Sequence, residues 1–310
     1  MKKIVVIGGG HGSAKIARGL KKYPDVKTTF IISVADNGGS TGKLRKMYNI
    51  PAMGDIRNVM IALSEDENIF TQLMDYRFEM IDNHNLGNLV IAALSNITNN
   101  FNDSIKLLAK ILRIKGDIYP STDEIVDIYA RMDDDTIVKG EANIPSFTHQ
   151  IKEVFYDHQI EASKEAVDAI MEADLVVYGI GSLYTSIIPN TIIDGIHQAL
   201  NKTKALKIYF CNCMTQSNET FNYEVKDHVE ALIKHGGVID YVITHSDKIP
   251  PKILDKYIKM DQQEVIEKTK IKQRILRYEL LEFDNDLIRH NSDKIAKAIM
   301  EIMDNNVIFN

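Results

Sequence analysis

A glycine-rich loop near the N-terminus is the strongest indication of chemistry in this sequence. The loop Gly8-Gly9-Gly10-His11-Gly12-Ser13 follows the apolar run Lys3 to Ile7 and precedes a helix that we predict from Ser13 to about Lys22. Consecutive glycines let backbone N–H groups approach an anion, and the start of the next helix favours negative charge. We therefore predict that a phosphate group is bound by this loop, through Gly9, Gly10, His11, Gly12 and Ser13.

The same loop does not match the dinucleotide fingerprint G-x-G-x-x-G. Gly8-x-Gly10 is followed by Ser13, and Gly10-x-Gly12 is followed by Lys15. A phosphate or diphosphate of another ligand is therefore favoured over a nicotinamide cofactor. A tight turn that binds no ligand is the alternative interpretation.

A second polar loop runs from Ala35 to Lys43. It is not a phosphate-binding P-loop, because Leu44 follows the lysine where that motif requires Ser or Thr. The loop nevertheless follows a predicted strand, at the carboxyl edge where α/β sheets bind ligands. Asp36 could bind a ribose or substrate hydroxyl or, through water, a magnesium ion; alternatively, Asp36 and Asn37 only shape a turn. The ligand-binding candidates of this loop are Asp36, Asn37, Gly39 and Ser40.

Two more polar clusters lie at the starts of predicted helices. In the first, Asp55 takes the N-cap position and Arg57 the first turn, beside Asn58. A cation in the first turn opposes the helix dipole, so an anionic ligand would explain it, although a salt bridge with Asp55 explains it equally well. In the second, His84 and Asn88 precede an apolar helix and are predicted to form a hydrogen-bonding wall.

Similar loops follow the strands of the C-terminal half. Gly179 to Ser186 joins the predicted strand Leu175–Tyr178 to a helix by way of glycines and hydroxyls, and Asn212 to Gln216 follows the strand Leu206–Cys211. Several polar loops at the ends of parallel strands predict one convergent cleft. The candidates here are Gly181, Ser182, Tyr184, Thr185, Asn212 and Thr215.

The element pattern predicts an α/β fold. The first strand, the helix and a second strand over Thr28–Ala35 make a βαβ unit, which favours a mostly parallel sheet with helices on both faces. Successive helices occupy 55–101, and an acidic turn at 133–135 between two strands predicts a β-hairpin insertion over about 116–160. The βα pattern returns after 163, the charged segment 261–272 is interpreted as an exposed helix face, and an amphipathic helix over 292–303 follows, N-capped by Ser292. We predict one Rossmann-like, three-layer α/β/α domain over 1–310.

Composition excludes several classes. The chain has 310 residues and a formal net charge of -6, which disfavours nucleic-acid binding. No run approaches the roughly 18 apolar residues of a membrane helix, and the N-terminal apolar run is too short for a signal peptide. Metalloprotease, serine hydrolase and zinc-finger motifs are absent from the sequence. These observations predict a cytoplasmic protein without membrane insertion.

Taken together, the loops resemble the gluconeogenesis-factor family (YvcK-like proteins), within the superfamily of CofD-like 2-phospho-L-lactate transferases. The resemblance extends from residue 4 nearly to the C-terminus. It is carried by Gly8–Gly12, Asp36–Arg45, Gly54–Asn58, His84–Asn88, Gly181–Ser186, Asn212–Gln216 and Arg289-His290.

The resemblance implies a cytoplasmic bacterial regulatory protein that is required for cell shape during growth on gluconeogenic carbon sources. It implies a UDP-sugar ligand, such as UDP-N-acetylglucosamine or UDP-glucose, with Arg289 at the diphosphate. In the transferase branch, the cleft holds a guanine nucleotide and a deazaflavin, with magnesium beside an acid that would be Asp36 here. The alternative function is therefore a magnesium-dependent transferase that joins a nucleotide-activated small acid to an alcohol through a phosphodiester. A homo-oligomer and regulatory protein partners are left open.

The sequence departs from the family at a few motif positions. His11 replaces the usual Thr, Ile180 the usual Pro, and Asn291 the usual Asp. Asn37 stands where a second Asp is usual, and hard cations favour several carboxylates. The loss of this acid is expected to weaken a magnesium site and to leave nucleotide-sugar binding unaffected.

Overall fold

A computed structural model describes residues 1–65, 69–146 and 149–305. The strands of these residues are β1 (Lys2–Gly8), β2 (Val26–Ile32), β3 (Arg77–Phe78), β4 (His84–Asn85), β5 (Asp117–Pro120), β6 (Tyr129–Met132), β7 (Ile137–Lys139), β8 (Ile151–Phe155), β9 (Leu175–Tyr178), β10 (Leu206–Phe210), β11 (Tyr241–His245), β12 (Arg274–Tyr278), β13 (Leu281–Asp284) and β14 (Leu287–His290).

The α-helices of these residues are α1 (Gly10–Leu20), α2 (Gly39–Tyr48), α3 (Gly54–Leu63), α4 (Ile69–Asp75), α5 (Leu86–Thr98), α6 (Phe101–Ile111), α7 (Lys164–Met171), α8 (Ile188–Thr191), α9 (Asp194–Lys202), α10 (Val225–Lys234), α11 (Pro251–Ile258) and α12 (Ser292–Asn305). A π-helical turn, Leu183–Ile187, precedes α8. None of the helices in the described residues is long and apolar enough to cross a membrane.

The main sheet has seven parallel strands in the order β12-β11-β10-β9-β1-β2-β5. Strand β1 is central, and Ile7 lies between Ile31 of β2 and Tyr178 of β9. All four residues of β9 are buried, as expected for a parallel strand whose two faces are both covered by helices. The predicted three-layer α/β/α fold is confirmed.

The predicted starts of several helices were wrong by one to three residues. Helix α1 begins at Gly10 rather than Ser13, so Gly10, His11 and Gly12 also belong to the helix. Helix α3 begins at Gly54 with Met53 as its N-cap, so Asp55 is not the cap but the second helical residue. Before α12, Asn291 and not Ser292 caps the helix, because Asn291 Oδ1 accepts the N–H groups of residues 293 and 294.

The insertion contains a smaller unit than predicted. Strand β5 pairs in parallel with β2 at the edge of the main sheet, because its buried Ile118 extends the core. The separate antiparallel sheet therefore begins at Tyr129 and has the order β7-β6-β8. We call these three strands the small sheet. The predicted hairpin is its β6–β7 pair, with the exposed acidic turn between them.

The charged segment 261–272 does not form the predicted helix. Its backbone runs beside the loop after β10, where Thr215 N–H donates to Gln263 O at 2.7 Å and Val265 N–H donates to Cys213 O at 3.0 Å. The following residues form β12, which pairs with β11 and closes one edge of the sheet. An alternating charge pattern therefore marked an exposed connection and an edge strand rather than a helix face.

Candidate functional site

A crevice opens at the carboxyl ends of the central strands. The chain passes from β1 to β2 on one side, whereas the neighbour on the other side is β9, and connections that leave in opposite directions create a crevice at such a point. The crevice has a volume of about 810 Å³. The predicted site residues that line it are His11, Gly12, Asp36, Gly39, Ser40, Asp55, Arg57, Asn58, Asn88, Gly181 and Arg289.

Three helices begin at this crevice. Helices α1, α2 and α3 start at Gly10, Gly39 and Gly54, and in the described residues none of the three is capped by the side chain of its own N-cap residue, although the Gly10 N–H donates to the Asp55 carboxylate. The first N–H groups of a helix have no partner within the helix, and its N-terminus carries partial positive charge. The three starts therefore present backbone donors to an anionic ligand.

Two glycines of the first loop make room for its neighbours. A Cβ at Gly12 would lie 1.4 Å from the carbonyl oxygen of Ile180, and a Cβ at Gly10 would lie 2.4 Å from Asp55 Oδ1. Gly10 N–H also donates a hydrogen bond to the Asp55 carboxylate. These positions bring the loops after β1 and β9 and the start of α3 into contact. Gly10 acts through this packing, whereas Gly12 also lines the crevice.

Carboxylates gather where these loops meet. Asp36 Oδ1 accepts the N–H of Gly38 at 2.8 Å, and Asp55 stands at the start of α3. Burial, and then the negative charge of Asp36, raise the pKa of Asp55 to about 6. Asp36 thus shapes the turn with one oxygen and also lines the crevice, and its binding of a ligand stays a prediction.

Two further acids near this point were missed in the sequence. Glu141 follows β7 of the small sheet, and burial followed by the charges of Asp36 and Asp55 raises its pKa to about 7. Glu219 lies in the loop after β10, only 6% exposed, and burial raises its pKa. Neither acid belongs to a motif or a helix start, so no local signal could have identified them.

The opposite charge comes from cations on the crevice walls. They are Lys15, Arg18, Arg57, Arg77 and Arg289. Arg57 is buried, donates from Nη1 to Asn88 Oδ1 at 2.9 Å, and pairs with Asp75 at 3.4 Å. The salt bridge that was considered for Arg57 exists, but its partner is Asp75 rather than Asp55. The Arg57 guanidinium also lies at the crevice wall, where an anionic ligand could reach it.

Ser40 is held at the start of α2 by the second polar cluster. Its Oγ lies 3.0 Å from His84 Nδ1 and accepts hydrogen bonds from Asn85 N–H and the Asn88 amide. His84 is buried, and it is Ser40 and Asn88 that line the crevice. Of the predicted wall, Asn88 lines the crevice directly, and His84 acts only through its contact with Ser40.

Other predicted residues are not among those that line the crevice. Ser182 and Thr185 bond to Glu219, and Tyr184 OH lies 2.8 Å from Tyr223 OH. Asn37 accepts the N–H of Ala142 at 3.0 Å, on the side of the small sheet. The remaining members of this group are Gly9, Gly10, Ser13, His84, Asn212 and Thr215.

The position of each of these residues has a physical reason. Gly9 packs against Ser186, since a Cβ there would lie 2.7 Å from its hydroxyl, and Ser13 is fully buried beneath the loop. Asn212 and Thr215 follow β10, which lies one strand further from β1 than β9 does. Thr215 instead accepts the N–H of Gln263 at 2.8 Å. A polar loop that follows a parallel strand therefore reaches the crevice only if its strand lies next to the crevice in the sheet.

Several oxygen donors lie around Asp36. Asp36 Oδ2 and Thr41 Oγ1 lie 3.3 and 2.5 Å from the point where a Cβ of residue 54 would stand, and Asp55 follows directly. Hard divalent cations prefer several oxygen ligands, carboxylates above all. Asp36, Thr41 and Asp55 are the residues of this group that would hold such an ion, and Asp55 would then be the second carboxylate in place of residue 37.

The fold and the crevice define a Rossmann-like α/β protein with an anion-binding site at the carboxyl edge of its sheet. The family model described as 2-phospho-L-lactate transferase CofD matches residues 4–282. The chain belongs to the CofD family, and within it to the gluconeogenesis factors, as predicted.

Full-length relatives support this assignment. The chain is 41% identical to the gluconeogenesis factor of Halalkalibacterium halodurans, over 97% of this chain and 96% of the relative. It is 40% identical to the gluconeogenesis factor of Bacillus subtilis, over 97% and 98%. An X-ray crystal structure of a Bacillus halodurans protein superposes with a TM-score of 0.93 at 39% identity, covering 96% of this chain and 99% of that one.

Proposed function

We propose that this protein binds a UDP-sugar in the crevice and acts as a regulatory protein that maintains cell shape during growth on gluconeogenic carbon sources. The observation that carries the proposal is the combination of donors in one crevice. Three helix starts and several cations face the same space as a group of carboxylates. A nucleotide sugar has both matching parts, a diphosphate and a ring of hydroxyl groups.

The diphosphate is assigned to the helix starts and the cationic walls. Backbone N–H groups at helix N-termini bind phosphate oxygens, and arginine matches them with paired donors. The volume of about 810 Å³ lies in the range of roughly 300–1,000 Å³ typical of sites for small molecules. Both the charge and the size of the crevice therefore suit a nucleotide diphosphate ligand.

A binding role is favoured over catalysis by the state of Ser40. This hydroxyl is paired with a histidine base, as a nucleophile would be, but it is only 7% exposed and also bonded to Asn85 and Asn88. Nucleophilic catalysis needs a hydroxyl that can reach the substrate. The hydrogen bonds of Ser40 to His84, Asn85 and Asn88 instead hold the start of α2 in place. The name gluconeogenesis factor, which the similar proteins carry, supports the part of the proposal that concerns gluconeogenic growth.

Calorimetry on the purified protein tests the binding. UDP-glucose and UDP-N-acetylglucosamine should bind, and Arg289→Ala should weaken binding by about 1–3 kcal/mol, the range for a charge-assisted hydrogen bond. Arg131→Ala is the matched control, because Arg131 pairs with Glu153 on the small sheet at 2.8 Å. No heat with either UDP-sugar, together with clear binding of another nucleotide, would refute the proposal.

The cellular role needs a separate test. A deletion strain grown on a gluconeogenic carbon source should lose its normal shape and recover it with the wild-type gene. The Arg289→Ala gene should fail to restore shape although the variant protein accumulates normally, as checked by immunoblotting. Full rescue by this variant would show that the cellular role does not depend on binding of the ligand.

The convergence of Asp36 and Asp55 favours a second candidate, the magnesium-dependent transferase. In such an enzyme, rate acceleration would come mainly from positioning and from neutralising phosphate charge. Asp36, Thr41 and Asp55 would hold the ion, which would supply that neutralisation. Incubation with a nucleotide-activated small acid and an alcohol, followed by mass spectrometry, decides between the two. A phosphodiester product that requires Mg²⁺ and disappears in Asp36→Asn would establish the transferase.

A further inference from the structure

A second cavity, of about 500 Å³, lies between helix α2 and the small sheet, and we call it the rear pocket. The loop after β2 forms a wall of both cavities, because Asn37 lines the rear pocket whereas its neighbours Asp36 and Gly38 line the crevice. The two linings share no residue. The polar side chains of the rear pocket include Asn37, Arg45, Lys46, Asp127, Lys139 and Asn143.

The rear pocket is cationic, although the whole chain has a formal net charge of -6. Its lining contains three cations and a single carboxylate, that of Asp127. Asp127 lies 3.2 Å from Arg45 Nη2 and 3.3 Å from Lys139 Nζ, so one acid serves two cations. Lys46, the third cation, forms no ion pair with any of the described residues. A surplus of positive charge in a recess attracts anions.

Arg45 is the buried member of this group, with a side chain that is only 6% exposed. Its Nη1 donates to the backbone oxygen of Asp36 at 3.0 Å, and its Nη2 donates to that of Val126 at 2.7 Å. Its Nε finds no hydrogen-bond partner in the part of the chain that the structure describes. A buried donor without an acceptor is unfavourable, and an anion that entered the pocket would reduce this cost.

Helix stability alone does not explain these cations. Arg45 and Lys46 lie in the last turn of α2, where positive charge offsets the negative end of the helix dipole. Lys139 has no such role, because it comes from β7 of the small sheet. Asn37 adds to the effect, since it stands where the related proteins usually have an acid. A carboxylate at residue 37 would cancel part of the surplus charge, whereas the amide preserves it.

We propose that the rear pocket is a second binding site, which takes a small oxyanion such as the phosphate or carboxylate group of a metabolite. Lys46 and Lys139 would contact the anion from opposite walls, beside the guanidinium of Arg45. The volume lies in the range of roughly 300–1,000 Å³ that is typical of small-molecule sites, so there is room for an organic part as well. The amides of Asn37 and Asn143 suit its hydroxyl groups. The proposal does not depend on which ligand binds in the crevice.

Amide NMR on ¹⁵N-labelled protein tests the site, because it separates the two cavities residue by residue. Inorganic phosphate is titrated at constant ionic strength, so that general screening does not contribute. The signals of Asn37, Lys46 and Asn143 should shift together and give one dissociation constant. The signals of Gly12 and Gly181 report separately on phosphate in the crevice. The same titration with succinate distinguishes a phosphate from a carboxylate as the preferred group.

Variants then assign the binding to the cations. Lys46→Gln and Lys139→Gln should each weaken phosphate binding at the rear pocket about threefold, as expected for exposed ion pairs, and roughly tenfold together. Asn37→Asp, which keeps an acceptor for the Ala142 N–H but adds a negative charge, should also weaken it. Lys110→Gln is the matched control, because Lys110 is exposed in the last turn of α6 as Lys46 is in that of α2. It should leave the affinity unchanged.

Three results would overturn the proposal. They are the absence of shifts at Asn37, Lys46 and Asn143 with either anion, an affinity in the double variant equal to that of the wild type, and an equal loss in Lys110→Gln. Shifts confined to Gly12 and Gly181 would mean that anions bind in the crevice alone. None of these results bears on UDP-sugar binding, which calorimetry tests independently.

Discussion

Asp55 should lower the stability of the free protein at neutral pH, so that Asp55→Asn should be stabilising. The pKa of this carboxyl rises from 3.8 to about 6 because the folded protein buries it beside Asp36. One pKa unit corresponds to about 1.36 kcal/mol, which gives an upper value of about 3 kcal/mol. The residue keeps some contact with solvent, which screens the charge, so we expect about 1–3 kcal/mol.

The sign of the effect sets its pH dependence. Between about pH 4 and pH 6, folded protein retains a proton on Asp55 that the unfolded chain releases, so the contribution of this residue to the free energy of unfolding falls as pH rises. An asparagine does not titrate, and its oxygen can still accept the Gly10 N–H. The stability difference between Asp55→Asn and wild type should therefore be small at pH 4 and reach its full value by about pH 7.

Urea denaturation from pH 4 to pH 8 measures this difference directly. Asp25→Asn serves as the control, because Asp25 is an exposed carboxyl outside the crevice, and its effect on the free energy of unfolding should be small throughout. A loss of stability in Asp55→Asn at pH 8, or a difference that does not grow with pH, would show that the carboxylate is stabilised by its surroundings. The explanation that burial and the charge of Asp36 destabilise the Asp55 carboxylate would then be wrong.

Two other substitutions test the geometry of the loops. Gly12→Ala would place a methyl group 1.4 Å from the Ile180 oxygen, so we expect a lower melting temperature and loss of UDP-sugar binding. Gly38→Ala, whose nearest contact would be 3.4 Å, should leave the melting temperature unchanged, and equal effects of the two on the melting temperature would contradict the packing. Asn37→Asp restores the acid usual in the family but faces Ala142, so calorimetry should show unchanged Mg²⁺ affinity; tighter binding would place residue 37 at the ion.

The parts of the fold that could be predicted are those determined by residues close together in the sequence. The apolar run of β1, its glycines and the apolar face of α1 identified the βαβ unit, and polar loops after strands located the crevice. The start of α1 was misplaced by three residues, and its first residue, Gly10, packs against Asp55, which is distant in sequence. Strand β12 was missed for a similar reason. Its charged residues carry no periodic signal, and it is a strand because it pairs with β11.

Two of the four acids grouped here could not have been identified from the sequence. Asp36 and Asp55 stand beside glycines that suggested a site, whereas Glu141 follows a hairpin strand and Glu219 lies in an irregular loop. Each of the four acids comes from a different segment of the chain, and only the order of the strands and the docking of the small sheet bring them together. No spacing rule connects such positions, because the distances involved are set by tertiary packing.

The same grouping shows why these acids matter. Burial, and then repulsion between the carboxylates, raises the pKa of Asp55 to about 6 and that of Glu141 to about 7, and both effects reduce the stability of the fold. A cluster that only filled space would be more stable with amides or apolar groups in its place. Strongly perturbed acids in a cleft are therefore candidates for function, and a cation or the hydroxyls of a sugar would relieve the repulsion. The stability of the free protein and its affinity for ligand should accordingly respond in opposite directions when one of these charges is removed.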